Sequence, residues 1–146
     1  MEFITVEQFQ EQPKEVQKVF IDWWKPQEFD IYAYKEDLKP RRVTETDIED
    51  IYNNEVYNVK SGFAIPLFTE GQLRRFIEDK TDGIVKLVQW HIHDSQVSKR
   101  GYAIDILRKN EYHVTYHYKD LGEDLLQEYW KVACMIAEEL VNWIVG

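Results

Sequence analysis

The sequence predicts an α+β fold. An antiparallel three-stranded sheet at about residues 84–118 is packed by helices, including a long C-terminal one. Two observations carry this. Apolar residues recur at spacings of three and four over residues 13–24, 69–80 and 125–144, the period of a helix with one buried face. Between the last two helical stretches lie three runs of strand type, at about 84–93, 101–108 and 112–118, separated by short polar segments.

The elements follow in order. Thr5-x-x-Gln8 has the form of a capping box, so a short helix starts at Val6. Pro13 interrupts it and suits the first turn of a second helix, which runs to about Trp24 with Val16, Val19, Phe20 and Trp23 on one apolar face. Lys25-Pro26 ends that helix. Phe29 to Tyr34 reads as a short strand with Phe29, Ile31 and Ala33 on one side and Asp30, Tyr32 and Tyr34 on the other. Residues 35–60 are divided between a short acidic helix, supported by Ile48, Ile51 and Tyr52, and a solvated loop.

From Pro66 the pattern is firmer. Thr69-x-x-Gln72 opens a helix carrying Leu73, Phe76 and Ile77 that stops near Lys80, and Asp82-Gly83 makes a turn. After the three strands, Asp120-x-x-Glu123 caps a final helix whose buried stripe is Leu125, Tyr129, Val132, Ala133, Ile136, Leu140 and Ile144. At 146 residues the length suits one domain, 1–146.

Strand alternation gives an expected register. A three-residue connection after Arg108 pairs Ile106 with Val114 and Ile104 with Tyr116. The same logic sets Trp90 beside Ile104 and Ile92 beside Tyr102. All four histidines, His91, His93, His113 and His117, then fall on the opposite face with Asp105. Ala103 lies between His91 and His117, about 10 Å apart at the backbone. His-x-His on one strand face is a common pairing for zinc, so this face is a candidate ligand or metal site. The plainer reading is a polar solvent-facing surface.

Composition excludes several functions. The chain carries 27 Asp and Glu against 18 Lys and Arg, a formal charge of −9. This opposes general binding to phosphate backbones or anionic membranes. The order αβββα is that of a double-stranded RNA-binding domain, but the last helix opens Gly122-Glu123-Asp124, where that module presents lysines. The single cysteine, Cys134, excludes an intrachain disulfide and sits in an apolar helical stretch as a small hydrophobe. No apolar run reaches the ~20 residues of a membrane helix. The start lacks a signal-peptide pattern, so a soluble cytoplasmic protein is expected. There is no glycine-rich phosphate loop or nucleophile elbow. The adjacent acids Glu138 and Glu139 point about 100° apart on a helix and read as a solvated face.

Ile4-Thr5-Val6-Glu7-Gln8-Phe9 and the box ending Trp23-Trp24-Lys25-Pro26 resemble the opening of small phage and prophage proteins of Firmicutes, particularly clostridia. The stretches 66–74 (PLFTEGQLR) and 121–134 (LGEDLLQEYWKVAC) resemble boxes in the same proteins. Together these cover about a third of the chain. The resemblance implies a phage setting and carries over no catalytic residue. In that setting an acidic protein without catalytic motifs is expected to bind and inhibit a host protein with a basic surface, such as a defence nuclease, in the manner of an anti-CRISPR. The candidate contacts are Glu45, Asp47, Glu49, Asp50 and Glu55, five acids in eleven residues with no base, helped by an exposed Trp24. No cofactor is needed for that reading. The alternative is a small-molecule or zinc-binding protein using the histidine face to sequester or cleave a signalling nucleotide, with Arg74, Arg75, Lys99 and Arg100 as phosphate partners. A third reading is a homo-oligomer pairing through the strand edge at 112–118.

Overall fold

In the computed structural model, backbone is described for residues 2–53, 58–94, 97–108, 113–117 and 124–145. Side chains are described for the same residues except 87–103, 108, 113–117, 144 and 145. The elements are α1 (Val6–Gln10), α2 (Lys14–Trp23), β1 (Ile31–Tyr34), β2 (Arg41–Arg42), α3 (Glu45–Asn53), β3 (Ala64–Pro66), α4 (Glu70–Thr81), β4 (Gly83–Asp94), β5 (Val97–Arg108), β6 (His113–His117) and α5 (Leu125–Val145). Mixed α+β architecture, the antiparallel sheet β4-β5-β6 and the long last helix are as the sequence predicts. A second antiparallel sheet, in the order β2-β1-β3, was not anticipated.

The chain forms two compact units, Met1–Thr69 with Ala137–Gly146, and Glu70–Ile136. In the first, α1 carries the expected capping box. Gln8 N–H donates to Thr5 Oγ1 at 3.1 Å and Thr5 N–H to Gln8 Oε1 at 3.0 Å. Pro13 is the N-cap of α2. Phe9, Phe20 and Phe68 are buried, with Phe20 5.6 Å from Phe68 and 6.4 Å from Phe9 between ring centroids, and Trp23 lies 5.9 Å from Phe68. These tilted contacts suit aromatic quadrupoles.

The strand expected to alternate does not. Ile31, Tyr32 and Ala33 are all buried, so both faces of β1, the central strand between β2 and β3, are covered. Phe29 is excluded from it: with φ at +76° it occupies a turn and is 66% exposed. Asp30 N–H donates to Gln27 O at 3.1 Å, closing that turn.

In the second unit, α4 buries Leu73, Phe76 and Ile77 as expected. Asp82 adopts φ +51° in the predicted turn. Gly83 follows where no side chain fits: a Cβ there would stand 2.7 Å from Ile106 Cγ2 and 3.0 Å from Leu107 O. Val85, Ile104 and Ile106 are buried, whereas Ile84 is 57% exposed, so the sheet has one covered side at this end. On α5, Tyr129, Val132, Ala133 and Ile136 are buried as predicted, together with Leu126 and Trp130. Leu125 and Cys134 are half-buried, and so is Leu140 in the first unit. Asp124 occupies the capping position, its Oδ1 accepting from Gln127 N–H at 3.3 Å. The expected caps Asp120 and Glu123 lie outside the described residues.

Candidate functional site

The acidic run folds as a helix, and its start explains why. Thr44 precedes the first helical residue, and Asp47 Oδ2 accepts from Thr44 N–H at 3.0 Å and from Thr44 Oγ1 at 2.8 Å. Asp47 N–H turns back toward Thr44 O at 3.1 Å. This is capping-box logic with Asp in place of Glu. Ile51 anchors the helix at 0% exposure, its carbonyl accepting from Val59 N–H at 3.1 Å.

At about 100° per residue, burying Ile51 leaves Glu45, Glu49, Asn53, Thr46 and Asp50 on one continuous arc of about 140°, and all five are exposed. The expected contact residues therefore separate. Glu45, Glu49 and Asp50 share a solvent-facing surface. Asp47 is half-buried and occupied with the cap, and its charge raises the pKa of Tyr32 after the larger effects of burial and of Tyr34. Glu55 lies outside the described residues.

Glu45, Glu49 and Asp50 make no ion pair among the described residues, and α3 contains no Lys or Arg. Glu45 and Glu49 stand at i and i+4, a like-charge pairing that costs a helix a few tenths of a kcal/mol. Asp50 is in the last turn, where the helix dipole disfavours a carboxylate.

Trp24, expected in an exposed patch, is a core residue at 3% exposure. Just past α2 the backbone becomes extended (φ −68°, ψ 121°). Its indole Nε1 donates to Asp30 Oδ2 at 3.1 Å. The neighbouring Trp23 is the half-exposed one.

A polar cluster stands at the edge of the β2-β1-β3 sheet. The Arg41 guanidinium pairs with Asp37 and lies 5.0 Å from the centroid of the Tyr34 ring. The Lys39 N–H, followed by Arg41, holds the Asp37 carboxyl below its usual range. With Glu36 and Phe63 these residues line a shallow depression of about 340 Å³. Arg41 is already committed to a carboxylate and a ring there.

The histidine face is corrected at the backbone. Trp90 pairs with Gly101 and Ile92 with Lys99, while Ile104 pairs with Leu87 and Ile106 with Val85. The strands continue to Asp94↔Val97, leaving two residues between them, where the expected strands 84–93 and 101–108, with Trp90 beside Ile104, left an odd-numbered connection at 94–100. An even connection in place of an odd one exchanges the two faces of β4. The β5–β6 register is as predicted, with Ile104↔Tyr116 and Ile106↔Val114. Positions 91 and 93 therefore share the parity of Ile104 and Ile106, whereas positions 113 and 117 share that of Asp105. Ala103 pairs with His117 on one side but with Val88, not His91, on the other. The four histidine side chains lie outside the described ones. Among the described residues no three His, Cys, Asp or Glu side chains are grouped to hold a metal ion.

One ionisable group escaped the sequence reading. Glu128 is completely buried, and neither carboxylate oxygen has a hydrogen-bond partner among the described residues. Burial, reinforced by Asp124 and opposed by Lys131, raises its pKa to about 7. Its spacing was the available signal: Glu128 stands three residues after Leu125 and four before Val132, within the apolar stripe.

No helix among the described residues is long and apolar enough to cross a membrane. Compared with known proteins, the chain matches no family model, no curated protein and no solved structure.

Proposed function

We propose that this chain is a non-enzymatic binding protein that docks the acidic face of α3 against a basic surface on a partner protein and blocks it. The carrying observation is the uncompensated arc of Glu45, Glu49 and Asp50. The Glu45–Glu49 pairing and Asp50 in the last turn weaken the helix that bears them, and none of the three makes an ion pair among the described residues. A basic partner would supply the missing charges and steer association through complementary potential. The likeness of the terminal and central boxes to phage proteins supports a bacterial host protein as that partner, with a defence nuclease as one basic-grooved example.

The test is affinity capture from a bacterial lysate with the wild-type chain and with Glu45→Gln/Glu49→Gln/Asp50→Asn, followed by binding of the purified captured protein. The wild type should retain a protein that the neutralised variant does not. The purified complex should weaken steeply between 50 and 500 mM salt, as exposed charges become screened. A captured protein that binds both chains equally would overturn the assignment of α3, and so would the absence of any protein specific to the wild type.

A further inference from the structure

The first compact unit carries a basic cleft in an otherwise acidic chain. It is about 370 Å³ and lies between α2 and the turn at Asn58–Gly62, lined by Lys14, Gln17, Lys18, Asp22, Lys60 and Ser61 together with Ile21 and Gly62. Its volume falls at the small end of the range for ligand sites, about 300–1,000 Å³. Three lysines face one carboxylate there, although the chain as a whole has nine more acids than bases. Asp22 is held 3.4 Å from Lys18, which leaves Lys14 and Lys60 without an ion pair among the described residues. Lys35 lines a smaller cavity adjoining the cleft, which shares Lys14, Gln17, Ile21, Ser61 and Gly62 with it.

The walls are held in place. Ser61 N–H donates to Asn58 Oδ1 at 2.7 Å, Ser61 Oγ to Asn58 O at 2.9 Å, and Gly62 N–H to Val59 O at 3.1 Å. Gly62 sits at φ +80° with open space where a Cβ would stand. Across from that turn, Gln17 is a buried polar residue at 8% exposure. Its Nε2 donates to Gln12 O at 2.8 Å and Gln10 O at 3.3 Å. Two carbonyls can only accept, so they fix which end of the carboxamide is nitrogen. The carbonyl Oε1 is the unspent end. It makes no hydrogen bond among the described residues and is free to accept one from a ligand.

We infer that this cleft binds a small phosphate monoester, with the phosphate on Lys14 and Lys60 and a hydroxyl or amino group of the esterified part donating to Gln17 Oε1. Lysines favour a compact dianion, since each ammonium acts as a point charge with three donors. An acceptor on a residue lining the cleft distinguishes an ester bearing a donor from phosphate alone. The site belongs to a different surface from the acidic face of α3 and does not depend on the docking reading.

Calorimetric titration of the full chain at pH 7 tests this with ribose 5-phosphate, adenosine 5′-monophosphate, inorganic phosphate and adenosine as probes. At least one of the two esters should bind saturably and at least tenfold more tightly than inorganic phosphate, and adenosine should not bind. Lys14→Gln/Lys60→Gln should weaken the ester at least tenfold with unchanged circular dichroism, whereas Lys131→Gln, on exposed α5 surface, should leave it unchanged. Absence of saturable binding by both esters would overturn the site, and so would full affinity in the double variant. Equal affinity for ester and phosphate would overturn the role given to Gln17.

Discussion

Trp24 and Asp30 are joined by a hydrogen bond of 3.1 Å from the indole Nε1 to Oδ2, across the Lys25-Pro26 corner that follows α2. The same Oδ2 accepts from Gln27 N–H at 2.9 Å. Asp30 therefore serves two donors, one of them on a side chain that is 3% exposed. Asp30→Ala should lower stability by about 1–3 kcal/mol, because a buried indole N–H loses its acceptor. Trp24→Phe leaves the Gln27 bond intact but removes packed volume as well as the donor. The two losses should therefore be less than additive when combined. Urea denaturation of the two single variants and the double variant measures this. Strict additivity would mean that the bond contributes nothing.

The acidic face of α3 should show opposite effects on stability and on binding. Glu49→Gln removes the carboxylate that repels Glu45 one turn earlier, and Asp50→Asn removes one that opposes the dipole at the helix C-terminus. Each should raise stability by about 0.2–0.5 kcal/mol at low salt, with the gain fading as salt screens the charges. Asp47→Ala should instead lower stability by about 1 kcal/mol, since it removes the oxygen that accepts both Thr44 bonds at the cap. Thermal unfolding at 20 and 500 mM salt separates the two groups. Residues that cost stability where they stand are those whose neutralisation should abolish partner binding.

The helices were legible because caps and apolar spacing are local properties. Thr5-x-x-Gln8 and the pair Phe76-Ile77 were read directly. Thr44-x-x-Asp47 carried the same signal for α3 but was masked by the surrounding acids, which read equally well as loop. Trp24 was misplaced because its burial depends on a corner formed after the helix and on Asp30, six residues on. The β4–β5 register depended on the length of one connection. A two-residue connection in place of the odd-numbered one expected at 94–100 exchanged the faces of β4 and separated the histidine positions that alternation had grouped. Glu128 lay in plain view on the apolar stripe, but a carboxylate near a helix start invites a reading of favourable dipole rather than burial.

Gly83 and Gly71 should respond oppositely to alanine. At Gly83 the added methyl meets Ile106 Cγ2 at 2.7 Å and a backbone oxygen at 3.0 Å, and Ile106 is itself fully buried. Gly83→Ala should therefore cost about 1–3 kcal/mol through overpacking at the start of β4. At Gly71, on α4, nothing lies within 4 Å of the added atom. Gly71→Ala should stabilise by about 0.5–1 kcal/mol, as the helical backbone loses less entropy on folding. Equal effects at the two sites would contradict the tight approach of β4 to β5.

Glu128 should make stability fall as the solution becomes alkaline. Its carboxyl is buried without a partner among the described residues, and burial raises its pKa to about 7 in the folded chain, against an ordinary value of 4.5. Below about pH 4.5 it is protonated both folded and unfolded, and ionisation costs nothing. Between about pH 4.5 and 7 the folded chain holds a proton that the unfolded chain has released, so stability declines as pH rises. Above about pH 7 both forms are ionised and the full penalty, on the order of 3 kcal/mol, is in place. Glu128→Gln mimics the protonated carboxyl in shape and cannot ionise. Its unfolding free energy should match the wild type at pH 4.5 and exceed it by up to that amount at pH 8. Asp124, which adds to the upward shift, and Lys131, which opposes it, provide a second check. Asp124→Asn should move the midpoint of the decline to lower pH, and Lys131→Gln should move it higher. Denaturation curves that stay parallel for wild type and Glu128→Gln from pH 4.5 to 8 would show that the carboxylate finds a partner when it ionises.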